Sequence, residues 1–317
     1  MNIEPKPREG VFRLYWYFAS ERQKIFEARL KGEQALWTTD PILQTYKFCN
    51  VFRATDRVSQ RLIRAIYEDM VSYSNEDIVF NIVLFRLFSR NETWDYLCKH
   101  LGRPPLIKDL NTDTLTNALE SAHNENGGLY TNAFILCANN AYGKSKKYLN
   151  HIELLRHMFL FSDGGKRLLE ADSLQTVYEI LHEYPLLGDF MSYQIAIDIN
   201  YSDVVNFSEN DFTQPGPGAI RGINKVFENL GDFSPQQTIL WMANNQDYWF
   251  MKYGYEFKGL FGRPLQAIDC QGLFCEVDKY SRVALPELKS NRQKIKARFK
   301  QNPSKIDILL PPKWNLS

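Results

Sequence analysis

Seven residues, Glu276 to Arg282, hold Glu276, Asp278, Lys279, Tyr280 and Arg282, framed by the apolar Leu273, Phe274, Cys275, Val277 and Val283. On a helix, residues three and four apart are neighbours, so Glu276 would lie beside Lys279 and Tyr280, and Asp278 beside Arg282. Such a cluster can be a set of ion pairs and nothing more. Among apolar residues, however, carboxylates beside Lys and Tyr can be tuned as acid or base. A second constellation lies in "SENDFTQPGPGAIRGINKVF", Ser208 to Phe227. Gly216 and Gly218 allow a close backbone approach, Pro217 stiffens the turn between them, and a helix is expected behind. Arg221 and Lys225, four apart, share one face, while Ile220, Ile223 and Phe227 face a core. Cations in the first turns of a helix oppose its dipole. An anion held there removes the conflict, so turn, helix start and cations together describe a cradle for phosphate or pyrophosphate. The plainer alternative is a structural turn whose cations meet Asp or Glu elsewhere.

Weaker signals surround these two. "EYPLLGDFMSYQIAIDI", Glu183 to Ile199, has the shape of two helices joined by a Pro-x-x-Gly turn, which can offer backbone N–H groups to a DNA phosphate. In "ANNAYGKSKK" the residues Gly143, Lys144 and Ser145 mimic a P-loop, but Ala138 replaces its first glycine, so a basic loop between helices is expected. Arg53, Arg57, Gln60 and Arg64 form a polar stripe, with Asp56 tempering the charge. It is either a solvated face or a phosphate-contacting one. "KSNRQKIKARFK", Lys289 to Lys300, carries six basic residues and no acid; it reads as a solvated basic helix or a strand-tracking patch.

Composition narrows the partners. The 317 residues are 44% hydrophobic and 24% charged with a net charge of +1, so polyanion binding must come from local patches. Five irregularly spaced cysteines imply reduced thiols in a cytosolic compartment. Neither these nor the five scattered histidines show zinc-ligand spacing, although carboxylates could still bind a metal. The N-terminus lacks a signal-peptide core, and the apolar run "DIVFNIVLFRLF" is too short to span a bilayer; a soluble intracellular protein with a buried helix there is expected.

These residues need elements to position them, and helix periodicity dominates. Phe48, Val51, Phe52, Val58, Leu62 and Ile66 fall on one helical face. Further helices are expected near 10–31, 76–90, 92–101, 113–123, 150–160, 165–171, 173–183 and 189–199, with helix starts at "TDP" (39–41) and "SPQQ" (234–237). "NAFILCA" and "KIDILL" are the best strand candidates, and neither has a hairpin partner. The expected class is all-α.

The separated motifs "WYFASERQKIFEARLKGEQALWTTDPIL", "YKFCNVFRATDRVSQRLI", "FRLFSRNETW", "YPLLGDFMSYQIAIDINYS", "ENDFTQPGPGAIRGI" and "LFCEVDKYSRV" are spread along residues 15–285. In this order they resemble the α-glutamyl/putrescinyl-thymine pyrophosphorylases, the helical module also found in phage 5-hydroxymethyluracil DNA kinases. The resemblance implies a two-lobed all-α fold distantly similar to helix-hairpin-helix DNA glycosylases, spanning residues 1–285, with 286–317 as a basic segment and tail. Without a kinase P-loop domain, it implies the transferase module alone, in the cytoplasm of a phage-infected bacterium. The implied reaction places an amino acid or polyamine on 5-pyrophosphoryloxymethyl-deoxyuridine in DNA, with the base flipped and pyrophosphate released. Gly216, Gly218, Arg221, Lys225 and Arg282 would receive pyrophosphate, with Mg2+ as an optional helper. Asp211 or Asp278 would take the proton from the amine, beside Glu276, Lys279 and Tyr280. Arg53, Arg57, Gln60, Gly188 and Gln194 would hold the strand. A glycosylase-like enzyme excising a modified base and a non-catalytic reader of modified DNA are the rival classes.

Overall fold

The structure is a computed structural model that describes residues 3–131, 140–288, 291–300, 302 and 305–316. The all-α expectation holds: fourteen α-helices lie among the described residues, with one two-stranded antiparallel sheet, β1 (Lys6–Pro7) and β2 (Phe227–Asn229). In chain order the helices begin α1 (Glu9–Leu30), α2 (Pro41–Thr45), α3 (Arg57–Arg64), α4 (Asn75–Phe88), α5 (Asn91–Leu101), α6 (Thr114–Asn126) and α7 (Lys147–Arg156). There follow α8 (Gly164–Leu169), α9 (Leu174–His182), α10 (Asp189–Tyr201), α11 (Pro217–Val226), α12 (Pro235–Asn244), α13 (Gln246–Tyr253) and α14 (Ala267–Ala284). None is long and apolar enough to cross a membrane.

The chain forms two compact units: Met1–Asp56 with Phe212–Ser317, and the continuous stretch Arg57–Asp211. In the first, α1 buries Phe12, Tyr15, Trp16 and Phe18, and the aromatic content is used for packing. Phe12 meets Trp249 at 4.7 Å, Tyr15 meets Phe274 at 4.8 Å and Trp16 meets Phe250 at 4.9 Å between ring centroids. The first and last are edge-to-face and the second tilted, and such aromatic pairs add to plain area burial. In the second unit α4 is the expected buried helix, and its polar interruptions are both partnered. Asn81 Nδ2 donates to Asp77 O and Pro105 O, and Arg86 pairs with the equally buried Asp198.

Both anticipated helix starts are built as local chemistry requires. Asp40 Oδ1 accepts from Ile42 N and Leu43 N ahead of Pro41, and Ser234 and Gln237 exchange hydrogen bonds around Pro235. Other expectations are corrected. Residues 46–56 do not continue the helix of 57–64; they form an irregular loop with one 3-10 turn at Arg53–Thr55, so Arg53 shares no helical stripe with Arg57. The loop wins because Asn50 and Asp56 tie the backbone back on itself, Asn50 N donating to Asp56 Oδ1 at 2.9 Å. "KIDILL" is irregular, and "NAFILCA" lies outside the described residues apart from its neighbours. Residues 291–300 are extended rather than helical, with Lys47 N donating to Ala297 O and Phe299 N to Thr45 O.

Candidate active site

The two constellations lie in the first unit, where α11 and α14 bring them together. Helices can approach this closely only because of glycine: a Cβ at Gly222 would lie 2.1 Å from Phe274 O, and one at Gly218 2.8 Å from Cys275 Sγ. Gly218 therefore admits a neighbouring helix, and neither it nor the N-cap Gly216 needs positive φ. α11 is ten residues long, so Lys225 stands in its last turn, where the dipole favours a cation. The opening conflict of charge and dipole is thus absent for Lys225.

Asp278 is fully buried, and three cations converge on it. Arg282 Nη2 lies 2.6 Å and Arg221 Nε 3.2 Å from Oδ2, while Lys225 Nζ lies 2.9 Å from Oδ1. Burial pushes the Asp278 carboxyl up, but hydrogen bonds from Arg282 and Lys225 outweigh it and hold it below the usual carboxylate range. Lys225 also donates to Asp278 O and Ser281 Oγ, which occupies its ammonium within the helix pair. Arg221 differs. Its side chain is 21% exposed and gives Asp278 only Nε, and its Nη2 lies near Gly218 in the first turn of α11. No side chain caps that turn. One carboxylate among three cations leaves positive charge in excess, beside uncapped helix N–H groups.

α14 carries the rest along one exposed stripe. Gly272 is exposed and Cys275 and Lys279 are half-buried, followed at a further step of three by Arg282, whose side chain is only 7% exposed, while Glu276 and Asp278 are buried on either side. Lys279 Nζ is 2.6 Å from Glu276 Oε2, which also accepts from Cys49 N at 3.0 Å. Tyr280 does not join Glu276: its hydroxyl donates to Asp40 Oδ2 at 2.5 Å, beside that of Tyr17, and helps fix the cap of α2.

A third group, disguised in the sequence by helical spacing, lies in the loop from Phe48 to Asp56. Arg22 Nη2 donates to Asn50 Oδ1 at 2.5 Å; its Nη1 is buried without a hydrogen-bond partner. Burial, reinforced by nearby Glu276, pushes the Asp56 carboxyl up to about 6, against backbone and arginine contacts that lower it. A carboxyl tuned to that range can take a proton near neutral pH. The signal was present, since Asp56 is the one acid among the basic residues of "YKFCNVFRATDRVSQRLIRAIY". On an assumed helix it looked like a surface counter-charge. The thiols are poorly suited to attack: burial raises Cys275 to about 12, and the charges of Asp56 and Glu276 raise Cys49. Among the described residues no three His, Cys, Asp or Glu side chains group as metal ligands.

Residues 9–290 match the family model described as 5-hmdU DNA kinase, helical domain. The chain belongs to this family. It is also 27% identical over 300 residues to the 5-hmdU DNA kinase of Bacillus phage SP10, an alignment covering 88% of this chain and 46% of the phage protein. The chain therefore spans about half the length of that relative. No solved structure matches it.

In this member of the helical-domain family, the remaining candidate residues lie outside α11 and α14. Asp211 is exposed in a turn at the end of the second unit. Gly188 is the N-cap of α10, again without a side-chain cap, and the turn before it holds Leu186 at φ +77°. Gln60 and Gln194 are buried in the second unit, whereas Arg57 is 76% exposed and 3.8 Å from Glu92. Arg53 is half-buried, and its backbone N–H donates to Asp269 Oδ1 at 2.8 Å. The basic loop after residue 139 is tied to α7: Asn150 Oδ1 accepts from Tyr142 N and Lys144 N, which turns those N–H groups away from any anion.

Proposed function

We propose that this chain carries out a step of thymine hypermodification in DNA: an amine, from an amino acid or polyamine, displaces pyrophosphate from 5-pyrophosphoryloxymethyl-deoxyuridine. The observation that carries the reading is the excess of cations around buried Asp278, open to solvent through Arg221 at the uncapped start of α11. Family membership supports it, because the relative's name describes a kinase that acts on 5-hmdU in DNA, and a phosphorylated 5-methylene group is what such an enzyme leaves behind.

In the proposed step the neutral amine attacks the 5-methylene carbon, the carbon–oxygen bond breaks, and its electron pair leaves on pyrophosphate. Charge then grows on the departing oxygen. Arg221, Arg282 and Lys279, with the N–H groups of α11, would meet it already oriented. Lys225 and Asp278 act one layer down: ionised Asp278 fixes the direction of both arginines. Asp278 is a poor proton acceptor in that setting, and Asp211 is exposed in the other unit. We therefore assign the amine proton to Asp56, beside Glu276. Tyr280 supports the fold through Asp40. Asp278 and Glu276 are each engaged by cations, so the stripe offers Mg2+ no free carboxylate pair, and no step is assigned to a metal.

The target base must leave the stack for a water-poor site to close around its methylene, at a cost of a few kcal/mol. Arg53, Arg57 and the Gly188 turn are the proposed strand contacts; Gln60 and Gln194 would support them from inside. A base-excising enzyme needs a carboxylate free to face a sugar cation; Asp278 is not free, so that reading would have to use the exposed Asp211. The test is amine-dependent pyrophosphate release from modified duplex DNA. Release that tracks added amine supports the reading, and base excision without it would replace the reading with a glycosylase.

A further inference from the structure

Just before α14 the chain makes a two-residue hairpin turn. Leu260 N donates to Arg263 O at 2.9 Å and Arg263 N to Leu260 O at 3.0 Å. The tip residues Phe261 and Gly262 both have positive φ, 51° and 87°. A tight turn of this kind takes Asn, Asp or Gly at its first tip position, and a bulky side chain there is strained. Phe261 nonetheless occupies it. Its ring is 49% exposed and makes no aromatic contact among the described residues.

The tip is also held firmly. Leu260 is 1% exposed in the core, Gln23 Nε2 donates to Gly259 O at 3.4 Å, and the Arg263 guanidinium sits 4.0 Å from the centre of the Trp314 ring. Beyond the turn, the Gln246 side chain bonds both Leu265 N and Leu265 O, and Gln266 then caps α14. A strained apolar side chain thus projects rigidly from the N-terminal end of the helix that carries the cationic stripe. Strain that persists in a tightly determined setting is a feature of functional sites.

We propose that Phe261 is a wedge that enters the base stack of duplex DNA and fills the place the target base leaves; this rests on the DNA-modifying function proposed above. Apolar wedges of this kind unstack base steps and lower the cost of extruding a nucleotide. DNA fits better than a protein partner. Phe261 is the one exposed large hydrophobic between Met251 and Val283 in the sequence, and a wedge needs a single apolar side chain where a protein interface would need a contiguous apolar patch. The nearby cations are Arg263, which stacks on Trp314, and Lys258, whose solvent-exposed pairing with Glu256 at 2.9 Å is the weak kind that a flanking phosphate can replace.

The experiment compares the full chain with Phe261→Gly and Phe261→Trp. Glycine is the residue the turn geometry prefers, so Phe261→Gly should melt no lower than the wild type, and loss of function cannot be loss of fold. Each protein is bound to a 5-hydroxymethyl-deoxyuridine duplex with 2-aminopurine beside the target, without amine. The wild type and Phe261→Trp should raise 2-aminopurine fluorescence, and Phe261→Gly should not. With the pyrophosphorylated substrate, turnover by Phe261→Gly should fall at least about tenfold on duplex and stay within about twofold of wild type on single strands, which have no stack to open. Equal fluorescence rises for wild type and Phe261→Gly would overturn the wedge and leave the DNA reading intact. Absence of DNA binding by all three would remove the function on which the wedge depends. A loss of duplex and single-strand turnover alike would assign Phe261 to the reaction itself and overturn the wedge.

Discussion

Arg221 and Lys225 look alike in sequence and are opposite in role. Lys225 is 6% exposed and fully engaged by Asp278 and Ser281, so Lys225→Met should destabilise the fold by about 3 kcal/mol or more, because it strips a buried partner from Asp278. Chemical denaturation checks this. Arg221→Ala removes only a single Nε contact from Asp278, at a side chain that is 21% exposed, so it should destabilise less than Lys225→Met while lowering pyrophosphate release by roughly 100-fold or more, the usual loss when an oriented charge-stabilising donor is removed. If Asp56 takes the proton, it must be ionised, so kcat/KM should rise with pH through about 6; Asp56→Asn should lose that limb along with most of the activity. A pH–rate profile of both proteins decides it. Spacing made the Glu276–Lys279 and Asp278–Arg282 pairs legible, since both are set by the helical period. It could not show that Tyr280 reaches Asp40, or that Arg221 and Lys225 reach Asp278, because those partners are joined only by the fold.

At the scale of elements, the pairing of α11 with α14 is the frame of the site. Gly222 is its closest point: Gly222→Ala puts a methyl against Phe274 O, with backbone on both sides and little room to yield. A loss of about 2 to 4 kcal/mol is expected, and thermal melts will measure it. The caps of α2 and α12 were readable because Asp-Pro and Ser-Pro starts act over three residues. The loop at 46–56 was not, because its apolar residues keep helical spacing while Asn50, Asp56 and Arg22 close it by side-chain bonds. Gly218, read as room for a ligand, is room for a helix, as is Gly222. The proposed anion site rests on Arg221 and the uncapped end of α11 rather than on glycine flexibility.

At the scale of the molecule, the second unit is one unbroken stretch, Arg57–Asp211, set between two segments of the first. It has its own buried helix α4, its own Arg86–Asp198 pair and a helical hairpin of α9 and α10. A fragment of residues 57–211 should therefore fold alone and melt cooperatively by circular dichroism, whereas residues 1–56 alone should not, because their core partners come from 212–317. The all-α class was legible from periodicity over the whole chain; the division into units was not, since it depends on contacts between distant segments. A net charge of +1 also gave no hint of a local cationic stripe. The central claim is amine transfer, and its most direct measurement is nucleoside mass analysis. Duplex DNA carrying 5-pyrophosphoryloxymethyl-deoxyuridine is incubated with the protein and a mixture of amino acids and polyamines, then digested. The account predicts a new aminomethyl nucleoside that appears with wild-type protein and is lost with Arg221→Ala. An unchanged nucleoside profile from folded wild-type protein on confirmed substrate would contradict it.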